Sequence, residues 1–282
     1  MPLVSTTALM DEAVRTESAL LAFNVITLEH AEAVARACEE TGVPALLAVS
    51  HNAVRYHHDD PAPLLAACAR IAEHRGTSLG LHLDHVEDAG LALRAPDLGC
   101  GSVMFDASRL PHAENVARTA EVTAELHAAG VWVEAELGEI GGKDGVHSAT
   151  ARTDPAEAAA YVRATGVDAL AVAVGSSHAM TTRTAALDQE LIARLREAVD
   201  VPLVLHGSSG VPEDALAEAI THGMRKINFG THLSAAFTRA VRANLDSGTS
   251  VDPRHFLGAG RTAVTEAATA LLRRLSPVPA ST

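Results

Sequence analysis

Two patterns of hydrophobic and polar positions alternate along the chain. Short apolar or β-branched runs bounded by Gly or Pro are LLAFNV (20–25), ALLAVS (45–50), SLGLHLD (78–84), SVMFD (102–106), VWVEAEL (131–137), DALAVAVG (168–175), VPLVLHG (201–207) and KINFG (226–230). Between them lie Ala-rich stretches of helical period, such as residues 28–40, 113–130 and 212–223, the last opened by Pro212 and closed by Gly223. Eight alternating strand–helix units predict an α/β protein, a TIM (β/α)8 barrel with a parallel inner sheet and an outer ring of helices. Two segments stand outside the eight. An extra N-terminal helix at about 5–16 is expected to plug the bottom, and a C-terminal helical arm from Val251-Asp252-Pro253-Arg254 to carry a last helix near 262–275. No repeat or low-complexity tract divides the 282 residues, so one domain over 1–282 is expected.

Composition narrows the function classes. The chain is 48% hydrophobic, enough for a large core, yet no apolar run approaches the roughly 20 residues that cross a bilayer. The first residues, MPLVSTTALMDEAV, lack the basic and apolar regions of a secretion signal, so a cytoplasmic protein is expected. A formal charge of −13 argues against nucleic acid as a partner, and no basic cluster suggests a membrane surface. Cys38, Cys68 and Cys100 form no CxxC pattern and read as buried reduced thiols. The 15 histidines are the oddity, and only their positions can separate functional ones from the rest.

In a barrel of this kind the active site is built at the C-terminal ends of the strands. Those ends carry Asn24, Ser50, His82-Leu83-Asp84-His85, Asp106, Glu134 and Glu136, His178, His206-Gly207-Ser208-Ser209-Gly210, and Asn228-Phe229-Gly230-Thr231. One histidine at a strand end is usually structural. Three of them, His85, His178 and His206 on strands 3, 6 and 7, would converge and leave a fourth position open, the arrangement of a catalytic zinc. Asp84 is the adjacent candidate for proton transfer, or else a carboxylate that orients His85. His82 would face the same way as Asp84 and support the site. HGSSG after strand 7 and NFGT after strand 8 expose backbone N–H groups, with hydroxyls on Ser208, Ser209 and Thr231, beside the start of the next helix. That is where barrels hold a phosphate.

Taken in order, HLDH, EAELG, GG, AVAVGSSH, LVLHGSSG, KINFGT and DPR cover nearly the whole chain. In this they resemble the class II (zinc-dependent) fructose-bisphosphate and tagatose-bisphosphate aldolases. The resemblance implies Zn2+ on His85, His178 and His206, and Asp84 as the proton shuttle at the C4 hydroxyl of a ketose phosphate. It makes Asp106 and Glu136 an alternate metal position or supports for the ligands. Dihydroxyacetone phosphate is implied on Gly207, Ser209, Gly210, Asn228 and Thr231, with Asn24 and Ser50 lining the substrate site and a monovalent cation (Na+ or K+) near the phosphate. The DPR arm resembles one that relatives project into a neighbour's site, which implies a homodimer or homotetramer with Arg254 at the distal end of the sugar phosphate.

The chemistry is consistent with this. Cleaving the bond between C3 and C4 needs a sink for the electrons left on C3, either a metal ion or a lysine Schiff base. The chain has only Lys143, in a glycine loop, and Lys226, expected to open strand 8 at the wrong end of the barrel. The metal route is therefore expected. Three departures from the family pattern bear on substrate. The glycine loop reads Gly141-Gly142-Lys143-Asp144-Gly145 without the usual glutamate, leaving Asp144 and Glu139 as replacements. Ala179 stands where a glycine often follows the strand-6 histidine, and Gly230 and Ser234 stand where fructose-type enzymes carry an acid and a base. Arg55 on the strand-2 loop, or Arg254, could supply the missing distal contact. Two other readings stay open: a different metal-dependent barrel lyase or hydrolase, and a non-catalytic sugar-phosphate sensor.

Overall fold

A computed structural model describes residues 3–74, 78–137, 152–176, 183–248 and 250–276. Its eight strands are β1 (Leu20–Asn24), β2 (Ala45–Ser50), β3 (Leu79–Val86), β4 (Ser102–Phe105), β5 (Trp132–Glu136), β6 (Ala169–Ala171), β7 (Leu203–Leu205) and β8 (Met224–Phe229). They pair in parallel, each with its sequence neighbour, and β8 closes on β1. The outer helices that matter below are α2 (Leu28–Thr41), α3 (His51–Tyr56), α9 (Glu213–His222), α10 (Thr231–Ser247) and α11 (Pro253–Leu275), with α1 (Thr6–Arg15) preceding the barrel. This is the TIM barrel that the alternating pattern predicts.

Strand alternation sorts the side chains into two cores. Leu21, Phe23, Leu47, Val49, Leu81, Val103, Val133, Leu205, Ile227 and Phe229 point outward into the layer beneath the helices. Leu20, Ala22, Leu46, Ala48, Trp132, Ala169, Ala171 and Val204 point inward and pack with Leu9, Met10 and Ala13 of α1. The N-terminal helix therefore plugs the bottom of the barrel. Ser5 caps it by accepting from the Ala8 N–H, and Thr6 donates to Ser102 at the start of β4. Gly80 permits the close approach, because a Cβ there would stand 2.7 Å from Leu46 Cδ2 and 3.2 Å from the Val4 carbonyl. Trp132 is the largest apolar side chain of this inner layer. Trp132→Ala should cost about 3–5 kcal/mol through the cavity it leaves, read as a lower urea midpoint with an unchanged m-value.

Two sequence expectations are corrected. Strand 8 begins at Met224, not at Lys226, because Met224 is itself buried against the core while the Arg225-Lys226 pair only looked like a polar boundary. The C-terminal arm is helical as expected, but its helix starts at Pro253, not near residue 262. Asp252 caps α11 by accepting from the Arg254 N–H, Pro253 fits its first turn, and the helix runs unbroken along α10 and α2 to Leu275. All three cysteines are buried, and burial raises their thiol pKa values to about 12.

Candidate active site

A cavity of about 290 Å3 opens at the C-terminal ends of the strands, lined by Asn24, Ile26, Ser50, Asp84, His85, Gly207, Ser208, Ser209, Asn228, Gly230, Thr231 and Ser234. Asp84 lies at its floor, where the inward face of β3 ends. Asn228 Nδ2 donates to Asp84 Oδ1 at 3.2 Å, Asn24 Nδ2 approaches Oδ2 at 3.5 Å, and His82 Nε2 stands 3.7 Å from Oδ1. Burial is the largest single influence on Asp84 and opposes its charge. The charge of His85 and contact with His82 outweigh it and hold the carboxyl well below the usual range. Asp84 is thus a proton acceptor at neutral pH.

Adjacent strand residues point to opposite faces, so Asp84 and His85 should not share a cavity. A local irregularity resolves this. The pairing of β3 with β4 shifts register between Leu83 and Val86, and His85 takes a left-handed φ of 49°. Bulges of this kind re-aim side chains beside active sites, and a left-handed non-glycine residue stores strain of about 1–3 kcal/mol. The turned ring reaches Asp106, whose Oδ2 lies 3.0 Å from His85 Nδ1. Asp106 is itself held by the N–H and hydroxyl of Ser108 at 3.1 and 2.5 Å. Burial opposes the charge of both, yet the charge of Asp84 and the contact with Asp106 raise the His85 pKa, and the contact with His85 lowers that of Asp106.

His206 stands between the two inward carboxylates of β5. Its Nε2 is 2.9 Å from Glu134 Oε1, and its Nδ1 is 3.5 Å from Glu136 Oε2. Burial alone would lower the His206 pKa, but hydrogen bonds and charge from both glutamates raise it to about 10. The His85 and His206 rings are tilted 58° to each other with centroids 4.6 Å apart. Their ligating atoms and Asp84 fall within 4.8 Å of one another, and so do those of His85, Asp106 and Glu136. Two donor sets sharing His85 suit a divalent ion with nitrogen and oxygen ligands. His178 and Ala179 lie outside the described residues, as does the loop with Glu139, Lys143 and Asp144.

The opposite wall is made of main chain. Gly207 adopts a left-handed φ of 65° and starts a short 3-10 turn over Ser208–Gly210. Ser209 Oγ accepts from the His232 N–H at 3.0 Å, which joins this turn to the start of α10. Gly230 precedes that helix, and its 17 residues aim an N-terminus at the cavity. Two expected residues serve differently. Ser208 is buried and donates to the Asn228 carbonyl, tying the two loops together. Phe229 stacks on Phe23 in the outer core at 5.9 Å and does not line the cavity.

Neither expected distal arginine lines the cavity. Arg55 of α3 pairs with Glu87 at 3.0 Å, and Arg254 folds back on its own Asp252. The sequence reading passed over Arg109, also on Glu87 at 3.1 Å, and Arg183, which bonds Glu213 at 2.6 Å with its other nitrogen 3.3 Å from the His232 ring, and neither of these lines the cavity. Neither belongs to a motif, so no local signal marked them. It also misplaced Lys226. That side chain is fully buried inside the barrel beneath the site, 2.7 Å from Glu134 Oε2 and 2.8 Å from Asn228 Oδ1.

The model of the family described as fructose-bisphosphate aldolase class-II matches residues 4–277. The chain belongs to the class II fructose-bisphosphate aldolase family. Among solved structures it is similar to the YdjI aldolase from Escherichia coli K12, at 30% identity and a TM-score of 0.84 over 97% of each chain. It shares its fold with the fructose-bisphosphate aldolase of Campylobacter jejuni, at 20% identity and a TM-score of 0.82 over 99% of this chain and 97% of that one. Membership makes the chain an aldolase, a carbon–carbon lyase acting on a small sugar phosphate, in a family that is generally metal-dependent. Among the described residues no helix is long and apolar enough to cross a membrane.

Proposed function

We propose that the chain catalyses reversible, zinc-dependent cleavage of a ketose 1-phosphate or 1,6-bisphosphate to dihydroxyacetone phosphate and an aldehyde. The observation that carries this reading is the placement of a buried, ionised Asp84 beside two adjacent histidines, at a cavity whose other wall is a main-chain anion pocket. The C1 phosphate sits against Gly207, Ser209, Gly210, Gly230 and Thr231, where N–H groups and the N-terminus of α10 favour an anion. Asn24 and Ser50 line the chamber that takes the sugar carbons. Asp84 accepts the C4 hydroxyl proton as the bond between C3 and C4 breaks, and the far half leaves as an aldehyde. His85, His206 and His178 would hold Zn2+, which would supply Lewis acidity at the C2 oxygen to accommodate the electron pair left on C3. Asp106 and Glu134 hold the two described ligands in orientation. Asp106 and Glu136, with His85, offer a second position for the ion. Glu139 or Asp144 replaces the glycine-loop glutamate that assists proton transfer in relatives, and a monovalent cation lies near the phosphate.

Substrate choice follows from the cavity wall. Gly230 and Ser234 both line it, and neither brings a charge. Each charge-assisted hydrogen bond to a phosphate is worth about 1.5–3 kcal/mol, so one missing contact weakens discrimination for a second phosphate by about one to two powers of ten. Fructose 1,6-bisphosphate should therefore give a poor kcat/KM. Tagatose 1,6-bisphosphate, or a ketose carrying phosphate only at C1, should match or exceed it. Arg55 and, from a neighbour in a homodimer or homotetramer, Arg254 are the residues able to replace the contact. Measuring all three substrates in the wild type, Arg55→Ala and Arg254→Ala tests this. A hundredfold preference for fructose 1,6-bisphosphate that either mutation erases would mean the distal site has moved rather than disappeared.

A further inference from the structure

The described residues include a fully buried lysine for which the reaction has no direct use. Lys226 and Glu134 project into the barrel from β8 and β5, and both are fully buried. In register, Lys226 is flanked by Leu20 and Val204, and Glu134 by Met104 and Ala169. The lysine therefore leaves apolar neighbours on its flanking strands and reaches its partner across the barrel interior. Burying two charges is expensive, and an apolar pair of similar volume often leaves a protein as stable or more so. Stability alone gives a weak reason for this pair.

We propose that Lys226 and Glu134 are a positioning pair that sets the hydrogen-bond direction of two residues of the site, the buried His206 and the cavity-lining Asn228. The argument rests on donor and acceptor inventories. A lysine ammonium has donors only, so each atom it touches must be an acceptor. At Asn228 this turns the amide oxygen to Lys226 at 2.8 Å, which leaves the NH2 group to donate to Asp84 Oδ1 at 3.2 Å. At Glu134, Lys226 engages Oε2 at 2.7 Å, and Oε1 accepts from His206 Nε2 at 2.9 Å. An ionised carboxylate can only accept, so the His206 proton is placed on Nε2 and Nδ1 becomes the nitrogen offered to a metal. One lysine thereby orients the proton acceptor on one side of the cavity and a metal ligand on the other. Without it the Asn228 amide is free to turn over, and Glu134 Oε2 loses its hydrogen-bond donor in the interior.

This inference rests on the reading of His206 as a metal ligand and Asp84 as the proton acceptor, and the test separates the two. Zinc dissociation constants would be measured by chelator competition in the wild type, His206→Ala, Lys226→Met and the double variant Lys226→Met/Glu134→Gln, together with melting temperatures and kcat at saturating zinc. Lys226→Met should bind zinc about 10–100-fold more weakly and, once saturated, turn over about tenfold more slowly, in the range for groups that orient metal ligands. The double variant removes the buried charges and should recover wild-type thermal stability. It should not recover zinc affinity, because a glutamine can present either its oxygen or its NH2 to His206. Recovery of both together would reduce the pair to a structural role and overturn the proposal, as would undiminished zinc binding by folded Lys226→Met. Undiminished binding by His206→Ala would instead overturn the metal reading and this inference with it. If the variants do not fold, 15N spectra of the zinc-loaded wild type decide the matter. A proton on His206 Nε2 is expected, and its absence overturns the proposal.

Discussion

Asp84→Ala should keep its zinc yet lose on the order of 10²–10⁴ in kcat, the usual contribution of a positioned acid–base group. The expectation follows from the contrast between Asp84 and the histidines beside it. Asp84 already accepts from Asn228 and lies within 3.5 Å of the Asn24 amide, so its oxygens are held for proton transfer as the buried base form. It also falls within the same 4.8 Å donor set as His85 and His206. A ligand role is therefore its real competitor, and metal content decides between them. Truncation leaves the buried Asn228 amide without an acceptor, at about 1–3 kcal/mol, so Asp84→Asn should be measured alongside. The asparagine keeps the shape but cannot take the proton, and its kcat should be as low as that of the alanine variant. Loss of zinc from Asp84→Ala, with zinc retained in His206→Ala, would reverse the two assignments.

Removing the metal should abolish cleavage, with zinc or cobalt restoring it, and His206→Ala should fail to retain the ion. Borohydride added with substrate should trap no covalent adduct. Lys226 is buried and engaged by Glu134 and Asn228, and it does not line the cavity. Acid should act through the same histidine. In the metal-free site the His206 pKa is raised to about 10, so at neutral pH the ring carries a second proton that a metal must displace from Nδ1. The sign follows directly: affinity falls as pH falls. One displaced proton corresponds to about tenfold in zinc affinity per pH unit below pH 10, and the raised His85 pKa steepens the slope at the acid end. A chelator-competition titration with a flat affinity from pH 6 to 9 would mean that the metal-free His206 ring carries no second proton there. Full turnover by a preparation shown to contain no metal would remove the metal from the mechanism altogether.

Local periodicity determined most of the fold. Runs such as ALLAVS and LGLHLD record which side chains face inward, and eight of them alternating with helices admit few closed arrangements. The same reasoning brought Asn24, Ser50, Asp84, His206 and the two glycine-containing loops to one edge, because strand ends and helix starts are marked by neighbours in sequence. Only the tertiary structure decided three other matters. Whether Asp84 and His85 could act together depended on a bulge and a positive φ at a histidine, conformations set by the packing of β3 against β4 and not by the residue itself. The two glutamates of β5 read alike in sequence, yet Glu134 meets Lys226 while Glu136 joins His85 and Asp106, since each depth in the barrel brings different strands together. Lys226 looked like the polar edge of a strand because its partner is 92 residues away. A charge inside a barrel becomes legible only when strand order and register bring its counter-charge within reach.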